Sequence, residues 1–168
     1  TNTDHDPGGV RTMMGGSGGK QLQQLQQQLE AIDAEVESLE AEIDELETEH
    51  AEIDEAIDAL DTLDSGSTVQ VPIGGDAYLR AEIQDIDEVI VSLGGGYAAE
   101  QQQDNAVDAL RTKQETIEET IEETEAEIAE LEDETEDLEK QAQAIQQRMQ
   151  QQQQQQMSKM QKMQDGDE

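Results

Sequence analysis

The stretch VQVPIGGDAYLRAEIQDIDEVIVSLGGGYAA, residues Val69 to Ala99, separates two long heptad-repeat segments and decides the fold. In its first half, apolar residues alternate with polar ones or Pro72 on both sides of Gly74-Gly75-Asp76, which predicts a β-hairpin. In its second half, Gly94-Gly95-Gly96 follows the apolar run Val89 to Leu93 and predicts a second hairpin. Isolated two-stranded hairpins are marginal in water, so we expect these strands to associate with strands of other chains.

The flanking segments both carry the a/d pattern of a left-handed coiled coil, with spacings that alternate between three and four residues. From Leu22 the first series continues through Leu25, Leu29, Ile32, Val36, Leu39, Ile43, Leu46, His50, Ile53, Ile57 and Leu60. The second series comprises Val107, Leu110, Gln114, Ile117, Ile121, Thr124, Ile128, Leu131, Thr135, Leu138, Ala142, Ile145 and Met149. Each stripe is too narrow for a lone helix, so we expect the two helices to pair antiparallel, with Leu60 facing Val107 and Ile53 facing Gln114.

The expected fold is mostly α with a small β part: a long antiparallel two-helix coiled coil with two β-hairpins inserted between the helices. The expected order is a disordered N-terminal segment (1–19), a first helix (20–64), the hairpins (65–99), a second helix (100–157) and a polar, Met-containing tail (158–168). The N-terminal segment is Gly-rich and aperiodic. Its Met13-Met14 pair leaves open where translation starts, and the glutamine run 150–156 leaves open how far the second helix continues.

Composition excludes several classes of protein. The 168 residues include 43 acidic and 9 basic ones, giving a formal net charge of -34, which repels nucleic-acid phosphates and anionic membranes. Such self-repulsion destabilises a compact fold unless salt screens it. Because ~1 M salt shortens the Debye length to roughly 3 Å, the charge indicates a salt-rich cytosol. A disordered acidic chain is the alternative, and the heptads count against it. There is no Cys and no apolar run of the ~20 residues that span a bilayer, so a cytoplasmic location is expected.

No pattern in the sequence predicts catalysis or a cofactor. Glu47-x-x-His50 matches a fragment of di-iron bundles, but such sites need the motif from two helices, so His50 is interpreted as a polar seam residue. A metal-dependent bundle enzyme is a third alternative, which predicts stoichiometric bound iron or manganese. A phosphate-binding P-loop requires a Lys after its glycines. The triple glycine at 94–96 has none. Acidic runs on the helices are interpreted as solvated faces, and we expect no enzyme, no cofactor and no metal.

The order of helix, two hairpins and helix resembles prefoldin, the chaperone of archaea and eukaryotes, and its α-type subunit in particular. The resemblance covers about residues 21–156 and rests on VQVPIGGDAYLRAEIQDIDEVIVSLGGGYAAEQQQDNAVDAL. It implies a hexamer of two α and four β subunits joined in a double β-barrel. It also implies coiled-coil arms that hold unfolded polypeptides at their tips without nucleotide, and transfer to a group II chaperonin.

The expected function is therefore an ATP-independent chaperone subunit; the alternative is a structural coiled-coil scaffold that docks one folded partner. The residues expected to form the oligomerisation hub are Val69, Val71, Ile73, Leu79, Ile83, Val89, Val91 and Leu93. Those expected to bind unfolded clients at the distal helix ends are Leu22, Leu25, Leu29, Ile145, Met149, Met157 and Met160. Methionine suits such a surface because it is flexible and polarizable, although the Leu residues, Ile145 and Met149 also fit a coiled-coil seam.

Overall fold

A computed structural model describes residues 12–94 and 96–166, with side chains for residues 18–92, 94 and 96–166. Two compact units share the chain: unit 1 comprises Thr1–Leu39 and Ala126–Glu168, and unit 2 comprises Glu40–Glu125. The element order is α1 (Thr12–Thr62), β1 (Thr68–Gly74), β2 (Ala77–Glu82), β3 (Val89–Gly94), β4 (Tyr97–Gln101) and α2 (Gln103–Asp165). Two long helices with two β-hairpins between them confirm the predicted fold class.

Each helix extends beyond one of its predicted boundaries, α1 at its start and α2 at its end. Helix α1 begins at Thr12, inside the segment expected to be disordered, and α2 continues through the glutamine run and most of the expected tail to Asp165. Residues 157–165 contain neither Pro nor Gly, so nothing in their chemistry ends the helix. None of the helices among the described residues is long and apolar enough to cross a membrane.

The core of unit 2 consists of seam residues from both helices. Its buried members are Ile53, Ile57, Val107 and Ile117, and Leu46, Leu60, Leu110 and Ile121 pack against them partly buried. All of these residues belong to the predicted a/d series. The Gln114 side chain donates to the His50 backbone oxygen at 3.2 Å, which agrees with the predicted register and with antiparallel helices.

Polar residues in the seam are satisfied within the chain. Thr124 is 6% exposed, and its hydroxyl donates to the Thr120 carbonyl of its own helix at 2.7 Å. The Thr135 hydroxyl donates in the same way to the Leu131 carbonyl at 3.0 Å. A buried hydroxyl without a partner would cost stability, so this local bonding explains how the seam tolerates threonine.

In unit 1 the same heptad positions are covered. Leu25 and Ile32 are buried, and the other a/d residues from Leu29 to Leu39 and from Ile128 to Met149 are partly buried. The positions between them are almost all exposed. The hydrophobic stripe of each helix is therefore the buried one here too, as the spacing predicts.

Each hairpin forms its own two-stranded antiparallel sheet, β1 with β2 and β3 with β4. Val71 pairs with Leu79 in the first sheet, and Val91 pairs with Ala99 in the second. The first hairpin turns at Gly75 and Asp76, whose φ angles are 56° and 60°. Positive φ at both central residues matches the twist of the strands, and Gly and Asp tolerate it best.

Side-chain hydrogen bonds join the end of α1 to the start of α2 and to the segment between the two hairpins. Gln103, the first residue of α2, donates its side-chain amide to the carbonyls of Leu60 and Leu63. Ser65 Oγ accepts from the Ile86 backbone nitrogen at 3.0 Å. The last carbonyls of a helix have no partner in the helix itself, so Gln103 both satisfies the end of α1 and fixes the start of α2.

Candidate functional site

The first hairpin presents an apolar face to solvent. Val69 lies opposite Ala81 and Val71 opposite Leu79, and directly opposed residues point to the same side of a sheet. Val71, Leu79 and Ile73 are 42%, 58% and 60% exposed, whereas Val69 and Ile83 are partly buried. Exposed apolar residues grouped in this way mark interaction sites. We call the exposed apolar residues of the two hairpins (Val71, Ile73, Tyr78, Leu79, Ile90 and Tyr97) the hairpin surface.

The second hairpin has its apolar residues on two different faces. Val91 is 5% exposed and Val89 is partly buried, so these two residues already pack within the chain. Ile90 is 74% exposed and Tyr97 is 77% exposed. The side chain of Leu93 lies outside the described residues. The structure thus places Val91 inside the subunit. A substitution of Val91 would therefore disturb the subunit itself and would not test its contacts with other chains.

Ile90, Tyr78 and Tyr97 were not among the residues selected from the sequence. Ile90 stands between Val89 and Val91 in an uninterrupted apolar run, so alternation could not tell which face of β3 is covered. The two tyrosines, 59% and 77% exposed, are the only aromatic residues of the chain. Tyrosine is enriched in protein interfaces, and this preference was the signal that could have identified them.

The residues predicted to bind clients fall into two groups. Leu25 is buried, and Leu22, Leu29, Ile145 and Met149 are partly buried in the seam of unit 1. Met157 and Met160 are 73% and 74% exposed, and Met163, in the predicted tail, is 81% exposed. We call Met157, Met160 and Met163 the methionine surface. Seam residues become available to a partner only if the helices separate, whereas the methionine surface is available as it stands.

Met149 sits close to a glycine of the opposite helix. A Cβ atom added at Gly18 would lie 3.1 Å from Met149 Sδ, while one added at Gly19 would meet nothing within 4 Å. Leu22, Gln146, Met149 and Gln153 line a shallow groove beside this contact. Gly18 therefore gives the thioether room to pack against α1, which is consistent with Met149 as a seam residue.

The polar centre of unit 2 contains His50, Asp54, Gln114 and Glu118. His50 Nε2 lies 2.9 Å from Glu118 Oε1, and its Nδ1 lies 4.0 Å from Asp54 Oδ2. Gln114 also donates to Asp54 Oδ1 at 2.7 Å. In the part of the chain that the structure describes, no group of three or more His, Asp or Glu side chains is arranged to hold a metal ion. The partners of His50 are those of a polar seam residue.

The prefoldin subunit family model matches residues 32–155, and the chain belongs to the prefoldin family. Relatives named prefoldin subunit alpha include one from Haloarcula marismortui, 61% identical over 114 residues, covering 68% of this chain and 74% of the relative. Another, from Haloquadratum walsbyi, is 70% identical over 106 residues, covering 63% of this chain and 69% of the relative.

Among solved structures, a chain of filamentous PFD from Methanocaldococcus jannaschii is 29% identical with a TM-score of 0.47; the match covers 71% of this chain and 95% of that chain. The family membership, which rests on the sequence comparisons, makes the protein a chaperone-type subunit. Prefoldin is a family of chaperones and not of enzymes. The resemblance predicted from the hairpin block is confirmed.

Proposed function

We propose that the chain is the subunit of an ATP-independent holdase, which binds unfolded polypeptides and passes them to a group II chaperonin. The observation that carries this proposal is the methionine surface, three side chains between 73% and 81% exposed on one continuous helix. Exposed apolar side chains grouped on one surface mark interaction sites, and the flexible thioethers of methionine adapt to apolar partners of different shape. Unfolded polypeptides offer such varied partners.

Assembly is assigned to the hairpin surface. Two separate two-stranded sheets with exposed Ile73, Leu79 and Ile90 are not stable units by themselves. Strands from other subunits would cover the apolar side chains and pair the free edges. The proposed partners are β-type subunits, with two α and four β chains in the complex, as the family resemblance implies.

Capture would work by many weak contacts. Several copies of the methionine surface in one complex raise the effective concentration for a long unfolded chain, although each contact alone is weak. Weak individual contacts also let the client leave step by step, so no nucleotide is needed for transfer. We place this activity in the cytoplasm, where a chain without Cys needs no oxidising compartment.

The test is suppression of aggregation. Two unrelated, chemically unfolded and salt-tolerant proteins are diluted separately into molar KCl, with or without the purified complex and without nucleotide, and light scattering is followed. A holdase suppresses the scattering of both clients at near-stoichiometric ratios. An intact complex that suppresses neither client contradicts the proposal and favours a scaffold that docks one folded partner.

A further inference from the structure

The charge of the chain is divided between its segments. Residues 30–139 contain 38 of the 43 acidic residues and only three of the nine basic ones. Residues 140–164, in contrast, contain no acidic residue and four basic ones: Lys140, Arg148, Lys159 and Lys162. The part of α2 that carries the methionine surface is thus cationic in a protein whose net charge is -34.

The basic residues form a stripe beside the methionines. Helix α2 continues to Asp165, and successive helical residues are turned by about 100°. This rotation puts Met157, Met160 and Met163 on one side and Arg148, Lys159 and Lys162 on the adjoining side. Lys159 and Met163 are four residues apart and therefore neighbours on the helix surface. All these basic side chains are exposed.

The glutamine run supports the same chemistry. Residues 150–156 are all glutamines with exposed side chains, and the NH2 group of each amide has two N–H donors for carboxylate oxygens. Among the residues that the structure describes, the ion pairs all involve His50, so no described carboxylate lies within 4.0 Å of the Arg148, Lys159 or Lys162 head groups. The segment itself offers donors and cations and contains no acidic residue, and Asp165, three residues after Lys162, follows directly after it.

The first part of α1, residues 12–29, is also free of acidic residues. No acidic residue occurs between residues 7 and 29. Lys20 is exposed and lies two residues after Gly18, which accommodates Met149. At ~1 M salt the Debye length is roughly 3 Å, so only charges in direct contact count. Salt does not screen charges that are in direct contact. A surface without Asp or Glu therefore avoids repelling the carboxylates of a bound polypeptide.

We infer that the acid-free segment, residues 140–164, selects unfolded segments rich in Asp and Glu that also carry apolar side chains. The methionines bind the apolar side chains, while Lys159, Lys162, Arg148 and the glutamine amides bind the carboxylates. This inference rests on the proposed function and specifies its substrate class. Basic unfolded segments find no carboxylate on this surface.

The experiment compares three fluorescent, unstructured peptides with identical apolar residues and Glu, Gln or Lys at all other positions. Their dissociation constants are measured by anisotropy with the full-length protein in its complex, in molar KCl. We expect the Glu peptide to bind tightest and the Lys peptide weakest. In the triple variant R148Q/K159Q/K162Q, exposed contacts of this kind predict a loss of about three- to tenfold for the Glu peptide, with the Gln peptide unchanged.

The matched control is R111Q/K113Q, which removes two basic residues of α2 outside the acid-free segment and should leave all three affinities unchanged. Equal binding of the three peptides, or an unaffected triple variant, overturns the inference while the holdase proposal stands. Binding of none of them overturns both. If the triple variant instead loses only binding to vesicles of phosphatidylcholine and phosphatidylglycerol, the segment is a lipid-binding surface and the inference is wrong.

Discussion

His50 Nε2 and Glu118 Oε1 lie 2.9 Å apart across the two helices of unit 2, with the two side chains 29% and 62% exposed. The heptad position of His50 directs it to the seam, and the carboxylate reaches it from a solvent-facing position. The pair therefore stands at the edge of the apolar core, where water and salt weaken its attraction. The His50–Glu118 pair therefore aligns the two helices but adds little to the free energy of unfolding.

The first prediction concerns this pair. A double-mutant cycle of H50A and E118A in molar KCl should give a coupling energy below about 1 kcal/mol, as partly exposed polar pairs do. The free energy of unfolding is measured by denaturant titration. The same cycle with E119A in place of E118A serves as the control and should give no coupling. A coupling of several kcal/mol for His50 and Glu118 would show that the pair is a main source of stability.

The second prediction uses two adjacent residues on opposite faces of β3. Val91 is 5% exposed and Ile90 is 74% exposed. V91D places a charge inside the subunit and should lower the free energy of unfolding by about 3 kcal/mol or more. I90D should leave the fold of the subunit unchanged and reduce the mass of the complex, measured by light scattering. A full-sized complex of I90D would contradict the role assigned to the hairpin surface.

The third prediction concerns Gly18. Alanine is a better helix former than glycine by about 1 kcal/mol, so G19A should slow amide hydrogen exchange in residues 18–29. G18A has the same gain but forces Met149 Sδ away from a Cβ at 3.1 Å. Because the thioether is flexible, we expect G18A to slow exchange less than G19A, without reversing its sign. Equal effects of the two variants would show that Gly18 and Met149 do not pack.

The fourth prediction follows from the charge of residues 30–139. Lowering KCl from about 1 M to about 0.1 M lengthens the Debye length from roughly 3 Å to roughly 10 Å and exposes the helices to repulsion among 38 carboxylates. The helical circular dichroism signal and the melting temperature should both fall. NaCl at the same ionic strength should restore them. A spectrum and melting temperature that do not change with salt would contradict this explanation of stability.

The sequence predicted the buried positions of the two helices almost residue by residue, because heptad spacing reports burial directly. Ile53, Ile117 and even Thr124 are covered where the a/d pattern places them. The register also followed, since matching Ile53 with Gln114 avoided facing polar residues and the structure brings Gln114 to His50.

Features that depend on contacts between residues far apart in the sequence were not predictable. The covered face of β3 is decided by what packs on Val91, which a run of equally apolar residues does not encode. Gln103 was not distinguished from its neighbouring glutamines, although its side chain joins the end of α1 to the start of α2. The helix boundaries differed because low-complexity composition does not prevent a helix from continuing to Asp165.

The most direct test of the proposed function is whether assembly and capture depend on separate surfaces. The variant M157Q/M160Q/M163Q keeps good helix formers and removes the methionine surface. E115Q/E119Q/E122Q, which changes three exposed positions of α2 outside the acid-free segment, is the control. Mass by light scattering and suppression of client aggregation are measured together in molar KCl. We predict an unchanged mass and markedly weaker suppression for the methionine variant only; full suppression by that variant, or loss of its assembly, would contradict the assignment.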